Sequence, residues 1–316
     1  MLAADAQAAL DAMAATGAPA IDTLPPAKAK RQFLENAPRL QGTKEAVAEI
    51  RDLNAPSPVG EIPLRLYRGV DCPATGAPAL LYFHGGGWVV GSIETHDTIC
   101  RWIANFAAGV VISVDYRLAP EHPFPAAIED AAAALRYVAE QAGHFGIDRQ
   151  RIAVGGDSAG GNIAAVVALL ARDGAVPQIA FQMLLYPVTD VSTTQDSYRR
   201  YAENYGLTTA AMRWFRQHYL GAAGDGADWR VSPLRAESLA GLAPAFVVTA
   251  GYDVLHDEAQ DYAARLVEAA VPVQIDANPG QIHGFISMDG FIGEARRCIG
   301  RAVEAWRASE TRTGGE

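Results

Sequence analysis

Gly156-Asp157-Ser158-Ala159-Gly160 joins an apolar run, Ile152 to Gly155, directly to an alanine-rich stretch of helical length, Ser158 to Ala171. A chain that passes from strand to helix this abruptly needs a tight turn. Glycines two positions either side of the serine let strand and helix pack close around it, and the turn projects the serine side chain away from the sheet. The start of the helix also aims unpaired backbone N–H groups at whatever stands before the serine. A glycine-rich turn with a serine N-cap is the plainer explanation of five residues alone, so the rest of the chain decides.

From about Ala79 onward, short branched and aromatic runs alternate with alanine-rich segments. The expected strands are Ala79–Phe83, Val110–Val114, Ile152–Gly155, Ile179–Tyr186, Ala245–Thr249 and Val273–Ala277. Their near-continuous apolarity marks central strands of a mostly parallel sheet, covered on both faces. Helices are expected at Pro125–Gln141, Ser158–Ala171 and Asp257–Ala270, the first opening on a proline suited to a first helical turn. The architecture is therefore α/β.

Two regions leave this alternation. Residues 1–42 are alanine-rich, with Leu2, Ala6, Leu10 and Met13 near helical spacing, and are broken by Pro25 and Pro26. Residues 189–226 are rich in Tyr, Arg, Gln and Thr, with a helix expected at Thr208–Tyr219 before the Gly221–Gly226 loop. A long non-sheet insertion in a compact domain is more often functional than idle. Both regions are taken as parts of a small helical cap on a core formed by 43–188 and 227–316.

A chain of 316 residues, half of them hydrophobic, can bury a large core. Its net charge of −10, with 26 scattered Lys and Arg, offers no stripe for nucleic acid. Cys72, Cys100 and Cys298 form no CxxC pair, which argues against a disulfide framework or a structural zinc site. The N-terminal stretch lacks the basic and continuous apolar regions of an export signal, and no apolar run is long enough to span a bilayer. A soluble, cytoplasmic protein is expected.

His84-Gly85-Gly86-Gly87-Trp88 follows the strand Ala79–Phe83, and its three glycines allow backbone amides to approach a ligand without interference from Cβ atoms. Such a loop suits an oxyanion hole for acyl transfer. The amides of Gly85 and Gly86 are assigned as donors, joined by that of Ala159, and His84 as a brace of the loop. With Ser158 as nucleophile, an acid and then a base must follow, each beyond the end of a later strand. Asp253 lies after Ala245–Thr249, and His283 lies in the loop after Val273–Ala277. The imidazole would take the serine proton and return it to the leaving group, while the carboxylate holds the tautomer. His256 is the rival base, although its place three residues after Asp253 would leave His283 unexplained. Asp257, Glu258 and Asp190 are the alternative acids, and His96, His122, His144 and His218 are read as surface or packing residues.

The chain resembles the hormone-sensitive-lipase-like esterases, the bacterial family IV carboxylesterases. The matching residues are His84 to Trp88, the run Asp115-Tyr116-Arg117-Leu118-Ala119-Pro120-Glu121-His122-Pro123-Phe124-Pro125-Ala126-Ala127, the elbow Gly156 to Asn162, and His283-Gly284-Phe285. The resemblance extends from about Ile62 to the end. It implies an α/β-hydrolase fold with an eight-stranded sheet, a cap of N-terminal helices and later insertion, and hydrolysis of short-chain acyl esters without a cofactor; it admits a homodimer. The family's Asp-Pro-Leu-Arg-Asp-Glu run is here Asp253-Val254-Leu255-His256-Asp257-Glu258. Val254 and Leu255 are accordingly expected near the bound ester, as is Trp88. An amidase or arylformamidase could use the same three side chains. A non-catalytic small-molecule receptor on this fold would lack the histidine, whereas His283 is present.

Overall fold

The computed structural model describes residues 1–313 except Thr193 and Ala223, so the 189–226 insertion and its Gly221–Gly226 loop are described apart from those two positions. Apolar runs with no polar alternation become strands buried on both faces. β3 (Ala77–Phe83), β4 (Val110–Val114) and β6 (Gln182–Leu185) are buried at every position. With β1 (Glu49–Ser57), β2 (Gly60–Arg68), β5 (Ile147–Asp157), β7 (Ala245–Tyr252) and β8 (Val273–Ile282) they form an eight-stranded sheet in the order β1-β2-β4-β3-β5-β6-β7-β8. β3 to β8 run parallel, while β1 and β2 form an antiparallel hairpin that joins the sheet along β4.

The β1–β2 hairpin was not among the strands expected from apolar runs. β1 is an edge strand, so only one side of each pleat needs apolar residues, and buried Ile62, Leu64 and Leu66 alternate with the more exposed Glu61, Pro63 and Arg65 along β2. β8 runs on to Ile282 rather than stopping at Ala277. After an irregularity between Ala250 and Tyr252, Ile282 pairs with Tyr252, and the intervening Asn278, Pro279, Gly280 and Gln281 hide that continuation from any apolarity criterion. β6 is shorter than Ile179–Tyr186 at both ends.

Helices α1 (Ala4–Ala15), α2 (Pro26–Leu40), α3 (Asp97–Ala107), α4 (Ala126–Glu140), α5 (Ala159–Arg172), α6 (Ser197–Arg200), α7 (Thr209–Leu220), α8 (His256–Glu268) and α9 (Glu294–Thr313) complete the chain. Side chains alternate across the sheet, which separates two cores: Leu81 and Phe83 pack with α4, α5 and α8, whereas Leu80 and Tyr82 pack with α1, α3 and α9. Thr208 caps α7 by accepting the Ala211 N–H at 3.0 Å. The N-terminal segment buries Ala6 and Ala9 beside Phe285 and Ile286, and the Ala3 N–H donates to the Gly280 carbonyl at 2.9 Å. Among the described residues, no helix is long and apolar enough to cross a membrane.

Candidate active site

Ser158 stands between the end of β5 and the start of α5 at φ 54°, ψ −117°, a conformation that disfavours a residue with a Cβ and persists only where the surroundings impose it. The imposition is visible in the two flanking glycines. A Cβ on Gly156 or Gly160 would run into the Phe83 carbonyl, so only glycine lets β3, β5 and α5 approach this closely. The Ser158 N–H donates to the Leu185 carbonyl at 2.9 Å, and the Asn162 amide donates to the Val188 and Val231 carbonyls, pinning the first turn of α5.

Asp253 and His283 arrive at the same point from the ends of β7 and β8. His283 Nε2 lies 3.0 Å from Ser158 Oγ, within reach of the hydroxyl proton, and His283 Nδ1 lies 2.7 Å from Asp253 Oδ2. Asp253 is buried, and its other oxygen accepts the Leu255 N–H at 2.9 Å. A serine hydroxyl, an imidazole and a buried carboxylate in this series can yield an activated oxygen nucleophile.

The alternative residues are engaged elsewhere. His256 begins α8, with Nδ1 donating to the Ala250 carbonyl and Nε2 beside Gln260. Asp257 accepts from the Ser197 N–H and from Arg200, and Asp190 pairs with Arg235. Glu258 is buried, accepting the Thr189 N–H at 2.8 Å and the Tyr198 hydroxyl at 3.1 Å; burial pushes its carboxyl up to about 8. His84 does brace its loop: Nδ1 donates to the Gly85 carbonyl at 2.8 Å and the ring stacks on Tyr116 at 4.3 Å. Burial, helped by the neighbouring His96, pushes its pKa down to about 3, so the ring is neutral at ordinary pH.

The glycine loop corrects one assignment. The Gly85 N–H donates to Asp157 Oδ1 at 2.9 Å, so it has no proton to offer a ligand. The amides of Gly86 (φ 119°) and Gly87 (φ 58°) donate to no described residue, and both glycines line the cavity. Ala159, as the first residue of α5, presents its N–H at the same helix start. Asp157 itself is almost fully buried. It also accepts the Tyr82 hydroxyl at 2.7 Å and faces His96 Nε2 at 3.2 Å. Burial acts to raise its carboxyl, but the His96 ring and the Tyr82 hydroxyl outweigh it and hold the group below the usual carboxylate range. His96, read from the sequence as a surface or packing residue, is thus a buried partner of the residue before the serine. No spacing rule links positions so far apart.

The expected pocket residues are also corrected. Trp88, Val254 and Leu255 are fully buried and none lines the cavity in front of Ser158. Trp88 turns inward at φ 58° and stacks on Tyr219 at 4.1 Å, a pairing worth about 0.5–1.5 kcal/mol beyond its buried area. The Val254 carbonyl accepts the Ser197 hydroxyl, and both apolar side chains belong to the core under α8. The cavity, of about 460 Å³, is instead walled by apolar residues from the first 40 positions and from the insertion, among them Met13, Phe33, Leu207, Met212 and Phe215. The helical spacing of Met13 in residues 1–42 and that of Met212 and Phe215 on the helix expected at Thr208–Tyr219 are signs of such a wall in the sequence. Among the described residues, no cluster of three or more His, Cys, Asp or Glu side chains is arranged to hold a metal ion.

Residues 80–287 match a family model described as the alpha/beta hydrolase fold. The chain is 44% identical to the carboxylic ester hydrolase LipN of Mycobacterium tuberculosis over 84% of its own length and 71% of that protein's. It is 42% identical to an ethyl acetate hydrolase of Pseudomonas putida, over 88% of each chain. Among solved structures it is similar to an ester hydrolase from the metagenome of Lake Arreo, complexed with a bipyridine phosphonate derivative. The TM-score is 0.94 at 44% identity, covering 98% of this chain and 99% of the other.

Proposed function

Because this chain belongs to the hormone-sensitive-lipase-like carboxylic ester hydrolases of the alpha/beta-hydrolase fold, we propose that it cleaves short- to medium-chain acyl esters through a covalent acyl-enzyme. Ser158 is the nucleophile, His283 the general base and acid, and Asp253 the carboxylate that holds the imidazole tautomer. The observation that carries this reading is the unbroken series Ser158–His283–Asp253, at 3.0 Å and 2.7 Å, opening on an apolar cavity.

In the first half-reaction Ser158 Oγ adds to the ester carbonyl carbon as its proton passes to His283 Nε2. The carbonyl oxygen gains a negative charge, stabilised by the amides of Gly86, Gly87 and Ala159. Collapse breaks the bond to the alcohol oxygen, which leaves with the His283 proton. Water then repeats the sequence on the acyl-enzyme, releasing the acid and restoring Ser158.

Residues 1–42 and 189–226 act as the cap that limits the bound acyl chain. Their contribution to a cavity of about 460 Å³ supports substrates with acyl chains of about two to eight carbons. The activity named for the Pseudomonas putida relative, on ethyl acetate, supports the short end of that range. The test is phosphonate labelling followed by mass spectrometry of the peptides. The label is expected on Ser158, and Ser158→Ala is expected to lose roughly four or more orders of magnitude in turnover while remaining folded. Labelling at another serine, or an active Ser158→Ala variant, would overturn the assignment.

A further inference from the structure

Helix α7 is seated on the glycine loop at two successive turns. The Phe215 ring covers Gly87 so closely that a Cβ added there would lie 2.2 Å from Phe215 Cγ. Four residues later, on the same helix face, the Tyr219 ring lies parallel to Trp88 at 4.1 Å and 4°. The far end of α7 is itself held: the Phe124 N–H donates to the Tyr219 carbonyl at 2.8 Å, and the Phe124 ring meets Tyr219 edge-on at 5.9 Å. Gly87 and Trp88 both sit at φ 58°, and for a bulky tryptophan that conformation persists only under outside restraint. Phe215 is also a wall of the cavity, with Met212 beside it.

We propose that Phe215 and Tyr219 are positioning residues for the oxyanion-binding amides, so that the insertion helix holds the donors of Gly86 and Gly87 in place as well as bounding the acyl chain. This rests on the reading of those amides as oxyanion donors given above. Donors act at full strength only within about 2.7–3.1 Å of the position the charged oxygen will take. A dense interior transmits the loss of a ring to its neighbours, so the loop pressed beneath it relaxes when the ring is removed. An uncharged carbonyl depends less on those donors, so ground-state binding suffers less than the transition state.

The experiment compares inhibition by an alkyl trifluoromethyl ketone with inhibition by the methyl ketone of equal chain length. Ser158 Oγ adds to the fluoroketone carbonyl, its proton passing to His283, and the hemiketal oxygen carries the charge that the amides bind; the methyl ketone stays largely unadded. In Phe215→Ala the preference for the fluoroketone is expected to fall roughly ten-fold, short of the ~10²–10³ loss in rate on deleting an oxyanion donor outright. kcat should fall with it, methyl ketone affinity should fall less, by the lost contact with the cavity wall, and Phe215→Leu should recover most of the loss. A Phe215→Ala variant that keeps the wild-type preference overturns the proposal, as does an equal weakening of both ketones. If the wild-type enzyme itself shows no preference, the assignment of the site fails instead. Should Phe215→Ala not fold, Phe215→Val is read by the same ratio.

Discussion

The Gly85 N–H donates to Asp157 Oδ1 at 2.9 Å, which ties the residue before the serine to the residue before the two glycine amides that have no partner among the described residues. Two loops at the ends of β5 and β3 thereby share one buried carboxylate, which also receives the Tyr82 hydroxyl. That group bridges the loop that carries Ser158 and the loop that carries Gly86 and Gly87.

Asp157→Asn keeps Oδ1 for the Tyr82 hydroxyl and the Gly85 N–H but removes the charge and puts an NH2 where Oδ2 meets His96 Nε2, so the loop should shift. A fall in kcat of roughly ten-fold, with KM nearly constant, is expected for an interaction felt mainly in the transition state. Because the folded carboxyl lies below its ordinary value, its contribution to stability is present above the unfolded pKa and is lost as pH falls through the folded one. The variant should therefore melt lower than wild type at neutral pH, with the gap closing in acid. An unchanged kcat would mean that the glycine loop does not need Asp157.

His283→Ala should be close to inactive, and Asp253→Asn should lose on the order of 10⁴ in kcat by favouring the wrong imidazole tautomer. His256→Ala removes only a ring bonded to the Ala250 carbonyl and Gln260, and should be mild. Steady-state kinetics with an activated ester checks all three. An inactive His256→Ala beside an active His283→Ala would reverse the assignment.

Truncation before Lys44 removes Met13 and Phe33 from the cavity wall, and the hydrogen bond from Ala3 to Gly280, three residues before His283. Lower kcat/KM, a broader acyl chain-length profile and aggregation through the uncovered apolar surface near Phe285 are expected. The measurements are the chain-length profile and the oligomeric state by light scattering. An unchanged profile in a well-behaved truncated protein would leave the insertion alone to bound the acyl chain.

Glu258 is raised by burial to about 8 in the folded chain. Stability from that group is thus complete below its unfolded value of ~4.3 and lost as pH rises through the folded one. Thermal melts from neutral to pH 9 should show wild type losing stability more steeply than Glu258→Gln, which keeps an acceptor for the Thr189 N–H and carries no charge. Parallel curves would show that the buried carboxyl does not govern the alkaline limb.

The sequence by itself determined those features written in a few adjacent residues or in their order along the chain. The Gly156-Asp157-Ser158-Ala159-Gly160 turn, the three glycines after His84, and the succession of Ser158, Asp253 and His283 past the ends of apolar strands were legible because strand-to-helix turns and buried parallel strands are local demands on residue type. The β1–β2 hairpin was less visible, since an edge strand needs only an alternating pattern. Tertiary structure alone decided which amides are free. Gly85 and Gly86 look alike in sequence, but β3 and β5 bring Asp157 against the amide of the first and leave that of the second without a partner among the described residues. It also decided that Trp88, Val254 and Leu255 belong to the core, while Met13, Phe33 and Phe215, far apart in the chain, share one cavity wall. Burial and hydrogen-bond partnership depend on which elements meet in space, and neighbours in sequence carry little record of that.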